Sequence, residues 1–191
     1  MMFGQSNNPT IRDIQNCNTP GIRTLLMLAL FVVIGAMCIN GAVYASTVNL
    51  PQTGQATSDA DGDDGAIRTG VAWPNPRFTY GDMTITDNLT GLVWTTDAGT
   101  AGLGLCTAKK YKTWQEALDY ITCLNVAKYA GYSDWRLPNI NELESLSNLG
   151  VTDSSAWLKT QGFTGVNMYN YWSSTSYSIN KDYAWVVIMF S

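Results

Sequence analysis

The sequence contains no histidine, and this absence narrows the chemistry that the protein can perform. Histidine is the commonest general base, the usual partner of a nucleophilic serine or cysteine, and the commonest zinc ligand. The sequence therefore argues against most hydrolase mechanisms and against a zinc site. We expect no catalytic residues, no metal and no other cofactor.

Basic residues are also few. The chain has 11 Lys and Arg against 15 Asp and Glu, which gives a formal net charge of -4. Proteins that bind nucleic acid concentrate basic residues to neutralise phosphates, so we expect no nucleic-acid partner. Charged residues make up 14% of the 191 residues and aromatic residues 12%, which favours one packed domain over a disordered chain.

A long apolar run, LLMLALFVVIGAMCI, occupies residues 25–39 and follows Arg12 and Arg23. Small side chains at Val43 and Ala45 then occupy the positions that signal peptidase reads. This order predicts that residues 1–45 form a secretory signal and that the protein lies in the periplasm, at the cell surface or outside the cell. The alternative is an uncleaved membrane anchor, because the run is near the length that spans a bilayer.

Cleavage after Ala45 would leave two of the four cysteines, Cys106 and Cys123. Two cysteines in an oxidising compartment most simply form one disulfide. The alternative is a catalytic cysteine, which would lack a histidine to lower the pKa of its thiol.

The exported part divides by composition. Residues 46–70 are rich in Gly, Thr, Asp and Gln and predict a flexible tether, whereas residues 71–191 hold all seven tryptophans. The acidic stretch at 59–65 resembles a calcium loop, but Asp64 stands where an EF-hand needs glycine. We interpret it as a solvated acidic turn.

Local patterns predict the elements of the domain. Alternation at 83–86, turn residues and then 92–94 indicate a hairpin. Two capping boxes, Thr113 with Glu116 and Asn139 with Glu142, predict helix starts, and Gly150 is a plausible end of the second helix. Residues 171–173 and 184–190 are predicted strands. This order predicts an α+β fold, with two helices packed on a small, mainly antiparallel sheet and with long loops.

Six ordered motifs carry a resemblance to a known family. They are VAWPNPRFT at 71–79, TITDNLTGLVW at 84–94, TWQEAL at 113–118, GYSDWRLPN at 131–139, EL at 142–143 and YWSST at 171–175. Together these motifs resemble the Lcl C-terminal domain family of bacteria, from about residue 50 to the end of the chain. The resemblance implies a C-type-lectin-like fold, an envelope or surface location, and adhesion through sulfated glycosaminoglycans.

The sequence departs from the family at the end of the chain and in its charge. Family members continue past the strand at 184–190 into a glycine turn and a final strand, so we expect a C-terminally truncated domain in which this strand has an unpaired edge. A single basic cluster, Lys109, Lys110 and Lys112, is available for a sulfated ligand. Trp172 and the serines after it stand where calcium-dependent lectins carry acidic and amide residues, so the resemblance predicts no calcium-bound sugar.

Aromatic and short polar side chains late in the chain are the main candidates for ligand contact. Flat aromatic faces with amide and hydroxyl donors suit sugar rings or protein partners. The predicted ligand-binding residues are Tyr169, Tyr171, Tyr177, Asn180, Lys181 and Tyr183, with Lys109, Lys110 and Lys112. We interpret Asp134, Trp135 and Arg136 as a turn, a core residue and one half of an ion pair, and Glu116 as a helix cap.

These observations favour an exported, non-catalytic module that binds a glycan or a surface protein. Two alternatives stay open: a structural envelope module or truncated gene product without activity of its own, and, less favoured, an envelope hydrolase or oxidase. A membrane contact is expected through the N-terminal segment alone, if that segment is not cleaved.

Cleavage of the leader makes a direct prediction. N-terminal sequencing of the exported protein should begin at Ser46. Ala45→Arg should block processing, because the peptidase requires a small side chain there. An exported protein that keeps its first residues would support the membrane anchor instead.

Overall fold

The computed structural model describes residues 4–6, 50–102, 104–106, 111–180 and 182–190. The predicted leader, apart from residues 4–6, lies outside the described residues, as do Lys109, Lys110 and Lys181. The chain divides into two compact units, Met1–Asn8 with Asn49–Ser191, and Pro9–Val48. All elements below belong to the first unit. Among the described helices, none is long and apolar enough to cross a bilayer.

Two small antiparallel sheets and four helices make up the described fold, and the predicted α+β class is confirmed. The strands are β1 (Gly4–Ser6), β2 (Phe78–Tyr80), β3 (Thr84–Asp87), β4 (Leu92–Thr95), β5 (Asn170–Ser176) and β6 (Ala184–Ile188). The helices are α1 (Asp64–Ile67), α2 (Trp114–Val126), α3 (Ile140–Glu144) and α4 (Ser154–Thr160). One sheet has the order β1-β4-β3-β2 and the other pairs β5 with β6.

The predicted hairpin is β3–β4, with Ile85 opposite Trp94 in the register. All four residues of β4 are buried, so this strand lies inside the domain rather than at its surface. Gly91 has a φ of 73° in the connecting turn, a conformation that favours glycine.

Both predicted capping boxes are present. The Thr113 hydroxyl accepts the Glu116 N–H at 3.2 Å, and the Glu116 carboxylate accepts the Thr113 N–H at 2.9 Å. Asn139 and Glu142 exchange the equivalent bonds at the start of α3. The second helix is shorter than predicted, since it ends at Glu144 instead of extending to Gly150. Helices α1 and α4 were not predicted from the sequence patterns.

Two clusters of buried side chains form the core. The first joins the β2–β4 sheet, α3, α4 and β6, and contains Phe78, Ile85, Leu92, Trp94, Ala98, Leu143, Leu146, Leu158, Phe163, Val166, Tyr171, Val187 and Met189. The second lies under α2 and contains Val93, Ala101, Cys106, Ala117, Tyr120, Ile121, Leu124, Tyr129, Trp135 and Leu137. Neighbouring residues of β4, Val93 and Trp94, face opposite clusters, so this strand separates the two halves of the core.

The described part of the predicted tether, residues 50–70, is folded against the domain. The Trp73 indole N–H donates to the Gln52 carbonyl at 2.8 Å, and the Leu149 N–H donates to the Thr53 carbonyl at 2.9 Å. A Cβ on Gly54 would lie 2.7 Å from the Trp73 ring. This segment therefore packs closely instead of linking two bodies loosely, because backbone bonds and glycine contacts compensate for its few apolar side chains.

The acidic stretch serves as a helix cap. The Asp63 carboxylate accepts the N–H groups of Asp59 at 2.6 Å and Ala66 at 2.9 Å, and it begins α1. The hydrogen bond from the Asp59 backbone N–H is the largest of the causes that lower the pKa of Asp63 to about 2. The interpretation as an acidic turn fits this geometry, since the carboxylate is occupied by backbone donors.

The Trp135 and Arg136 predictions are confirmed. Trp135 is 2% exposed, and its indole N–H donates to the Tyr129 carbonyl at 2.9 Å. Arg136 forms a bidentate pair with Glu142, with both N–O distances at 2.7 Å. Hydrogen bonding from Arg136 is the main cause that lowers the pKa of Glu142, so this carboxylate is committed to structure.

Cys106 and Cys123 form the predicted disulfide. The bond ties the loop that precedes α2 to the third turn of that helix. Tyr111 and Lys112 lie between the two cysteines, so the closed loop restricts their position.

The disulfide predicts a stability difference that depends on reductant. Replacing both cysteines by serine should lower the free energy of unfolding by about 3 kcal/mol, because the unfolded chain gains the freedom of an open loop. Urea unfolding of the parent protein with and without dithiothreitol measures this difference. Reductant should bring the parent to the stability of the double variant and leave the variant unchanged; a parent that does not respond would contradict the prediction.

Candidate functional site

A surface cleft of about 740 Å3 lies between the end of β4, the residues before α2, and the segment that leads into β5. Its lining comes from three stretches of the chain, around residues 97–100, 111–112 and 164–172, together with Ile188 of β6. The lining residues are Asp97, Gly99, Thr100, Tyr111, Lys112, Thr164, Gly165, Asn167, Met168, Tyr169, Asn170, Tyr171, Trp172 and Ile188. Aromatic and short polar side chains predominate among them.

The floor of the cleft is a parallel β-bridge between Asp97 and Thr164. The Ala98 N–H donates to the Thr164 carbonyl, and the Thr164 N–H donates to the Thr96 carbonyl, each at 2.8 Å. The Asp97 carboxylate accepts the Gly99 N–H at 2.8 Å and the Thr100 hydroxyl at 2.9 Å. Asp97 therefore shapes a turn, and its oxygens are occupied by neighbours.

Two exposed tyrosines form one wall. The rings of Tyr111 and Tyr169 meet edge to face, with centroids 6.0 Å apart, and the two residues are 65% and 57% exposed. Aromatic rings that stay exposed although they contact each other offer apolar area with a polar tip, an arrangement that suits sugar rings. This pair is the most distinctive feature of the cleft.

Tyr171 and Trp172 hydrogen-bond to the segments that carry the two exposed tyrosines. Tyr171 is 4% exposed, its hydroxyl accepts the Asn167 N–H at 2.8 Å, and burial raises the pKa of its phenol. The Trp172 indole N–H donates to the Lys112 carbonyl at 2.9 Å and so links β5 to the residue beside Tyr111.

Lys112 places a positive charge at the cleft. Its ammonium nitrogen lies 4.4 Å from the centroid of the Tyr120 ring, within the range of a cation–π contact. Burial lowers the pKa of Lys112, and the nearby Glu116 carboxylate opposes this shift. The ammonium is therefore positioned by the Tyr120 ring of α2, and Lys112 belongs to the lining of the cleft.

The predicted ligand-binding residues divide into two places. Lys112, Tyr169 and Tyr171 line the cleft. Tyr177, Asn180 and Tyr183 lie in the connection between β5 and β6, where the Tyr177 N–H donates to the Tyr183 carbonyl at 2.8 Å. Tyr177 also packs on Trp185 with centroids 5.6 Å apart, and these residues do not border the cleft.

Sequence reasoning missed Tyr111 and Asp97. Tyr111 stands directly before Lys112, so the basic cluster was a signal for it. Nothing in the spacing indicates that residue 111 meets residue 169, because the contact depends on the tertiary fold.

Three polar side chains that do not line the cleft make structural contacts. The Ser173 hydroxyl is buried and donates to the Trp185 carbonyl at 2.8 Å. Glu116 caps α2 and Glu142 pairs with Arg136. Within the described ranges, no group of three or more Cys, Asp or Glu side chains is arranged to hold a metal ion.

Comparison with known proteins identifies the family. Residues 83–191, more than half of the chain, match the model of the Lcl C-terminal domain, and the chain belongs to that family. The match includes every residue that lines the cleft. No curated protein and no solved structure matches the chain. The C-type-lectin-like fold that the resemblance implied therefore stays a prediction.

The cleft floor predicts a difference between two glycine substitutions. A Cβ on Gly165 would lie 2.6 Å from an Asp97 carboxylate oxygen at a φ of 67°, whereas one on Gly91 would meet nothing within 4 Å at a φ of 73°. Both alanine variants should lose about 1–2 kcal/mol of unfolding free energy through the left-handed backbone. Gly165→Ala should lose about 1 kcal/mol more through the clash.

Thermal or urea unfolding of the two variants measures the difference. Equal losses would show that the floor around Asp97 yields to a methyl group and that the cleft is less rigid than the geometry indicates.

Proposed function

We propose that this protein is an exported, non-catalytic binding module that holds a glycan in the cleft between Tyr111 and Tyr169. The observation that carries the proposal is the exposed tyrosine pair, which lines one cleft together with Lys112 and Asp97. Aromatic faces pack against the C–H face of a sugar ring, and the hydroxyl and amide groups around them give orientation.

The basic residue in the cleft lining favours an acidic sugar. Lys112 is the one basic residue in the described lining, and Lys109 and Lys110 precede it in the sequence. A positive group at the mouth of a cleft attracts sulfate or carboxylate groups and makes binding sensitive to salt. A sulfated glycan therefore ranks before a neutral one in this proposal.

A binding role agrees with how the carboxylates are used. A glycosidase needs two carboxyl groups that flank the scissile bond. In the described lining, Asp97 is the one carboxylate, and backbone and hydroxyl donors occupy it. This arrangement supports recognition more than hydrolysis.

The proposal is tested on an array of neutral, sialylated and sulfated glycans, with calcium and with chelator. Tyr169→Ala should weaken binding about tenfold, because it removes half of the aromatic wall. Tyr183→Ala is the matched control, since Tyr183 is equally exposed (60% against 57%) and lies outside the cleft. If Tyr183→Ala and not Tyr169→Ala weakens binding, the site moves to the β5–β6 connection.

A second pair of variants tests the charge. Lys112→Gln should reduce binding to sulfated glycans and its salt dependence, whereas Lys159→Gln on α4 should change neither. A folded protein that binds no glycan in the array would overturn the proposal and favour a protein partner or a structural role.

A further inference from the structure

A second depression of about 970 Å3 lies on the side of β6 that faces residues 50–53. We call it the β6 groove. It is lined by Leu50, Pro51, Gln52, Thr53, Thr90, Leu92, Asn141, Glu142, Glu144, Ser145, Ser147, Leu149, Val186, Val187 and Ile188. It shares Ile188 alone with the tyrosine cleft, so it is a separate site.

One wall of the β6 groove is the edge of a strand. Val186, Val187 and Ile188 all border it, although successive side chains of a strand point to opposite faces. Three consecutive residues can share one groove only along the strand edge. β6 pairs with β5 along its other edge, and no described strand pairs with this one.

Residues 50–53 also border the groove, and Pro51 is joined to Val71 by a parallel β-bridge. The Gln52 N–H donates to the Val71 carbonyl at 3.0 Å, so this bond is used away from β6. β1 pairs with β4 and not with β6. The groove is therefore bordered by two segments of extended backbone, which suits an extended occupant.

The exposed lining is aliphatic with one uncompensated charge. Leu50, Leu149 and Ile188 are 66%, 58% and 53% exposed. Glu142 is paired with Arg136, whereas the exposed Glu144 forms no ion pair with the described residues. An occupant that complements this surface has aliphatic side chains and a basic residue.

We propose that the β6 groove binds an extended segment of a partner protein, which adds to the free edge of β6 as a third strand. Its main chain bonds to β6, its aliphatic side chains cover Leu50, Leu149 and Ile188, and a Lys or Arg pairs with Glu144. Main-chain bonds give such strand addition its affinity, and the side-chain contacts select the sequence. This partner site is independent of glycan binding.

The test uses the full chain and a short, capped peptide of alternating valine and lysine, with alternating valine and glutamate as the control peptide. Titration calorimetry should detect the lysine peptide and not the glutamate peptide. Binding should slow hydrogen exchange at the β6 amides that face the groove, because these donors gain a partner strand, whereas the amides that already face β5 should change less. Slowed exchange confined to other elements would overturn strand addition.

Matched variants locate the contact. Glu144→Lys should weaken the lysine peptide about two- to fivefold, the range of an exposed ion pair, whereas Asp119→Lys on α2 carries the same charge change outside the groove and should have no effect. Leu149→Ser should weaken binding about three- to tenfold, because it removes an aliphatic contact. Val126→Ser is the control and should have no effect, since Val126 is 82% exposed and lies outside the groove.

Two outcomes would overturn the proposal. Equal effects of the groove variants and their controls would show that the peptide binds by overall charge. A concentration-dependent dimer in sedimentation, weakened by Leu149→Ser while the peptide fails to compete, would show that a second copy of the chain occupies the groove.

Discussion

The ion pair between Arg77 and Asp87 fixes the part of the domain on which the β6 groove depends. Both side chains are buried, at 4% and 0% exposure, and their closest atoms are 3.4 Å apart. Asp87 also accepts the Thr90 hydroxyl, and Arg77 donates to the Ser145 carbonyl. Thr90 and Ser145 both line the β6 groove, so one buried charge pair holds the β3–β4 turn against the end of α3. Removing one partner of a buried ion pair costs about 3–5 kcal/mol, because the other charge is left uncompensated. The pair therefore helps to hold Thr90 and Ser145 in place beside the groove.

Asp97 has the corresponding role at the tyrosine cleft. Its carboxylate folds residues 97–100 into a turn, and the bridge to Thr164 joins that turn to the segment that leads to Tyr169. Between the two depressions lies β6, whose Ile188 borders both. Each depression is therefore built on the same plan, in which a carboxylate with several donors sets the backbone and leaves nearby aromatic or aliphatic side chains uncovered. Exposed apolar area beside a rigid frame binds a partner at a low cost in conformational entropy.

Short sequence patterns predicted local structure, but they did not predict the tertiary contacts. The two capping boxes and the alternating hairpin each depend on residues close together in the sequence, and the structure contains all three. α4 was missed because its Ser154 and Ser155 are poor helix formers, and its Asp153 cap and its packing through Leu158 outweigh them. Composition predicts a tether at residues 46–70 because it cannot show that Gly54 packs against Trp73. The meeting of Tyr111 with Tyr169 depends on the whole fold between them.

The tryptophans explain why aromatic content was a weak guide to the site. The four indole N–H groups of Trp73, Trp114, Trp135 and Trp172 each donate to a backbone carbonyl outside their own element: those of Gln52, Ser173, Tyr129 and Lys112. A fold with short strands and long loops has few hydrogen bonds between paired strands. These indole hydrogen bonds therefore help to join segments that no strand pairing connects. These four tryptophans are thereby committed to the frame. Tyr111 and Tyr169 are more than half exposed at the cleft, and no residue count reveals this difference from the four tryptophans.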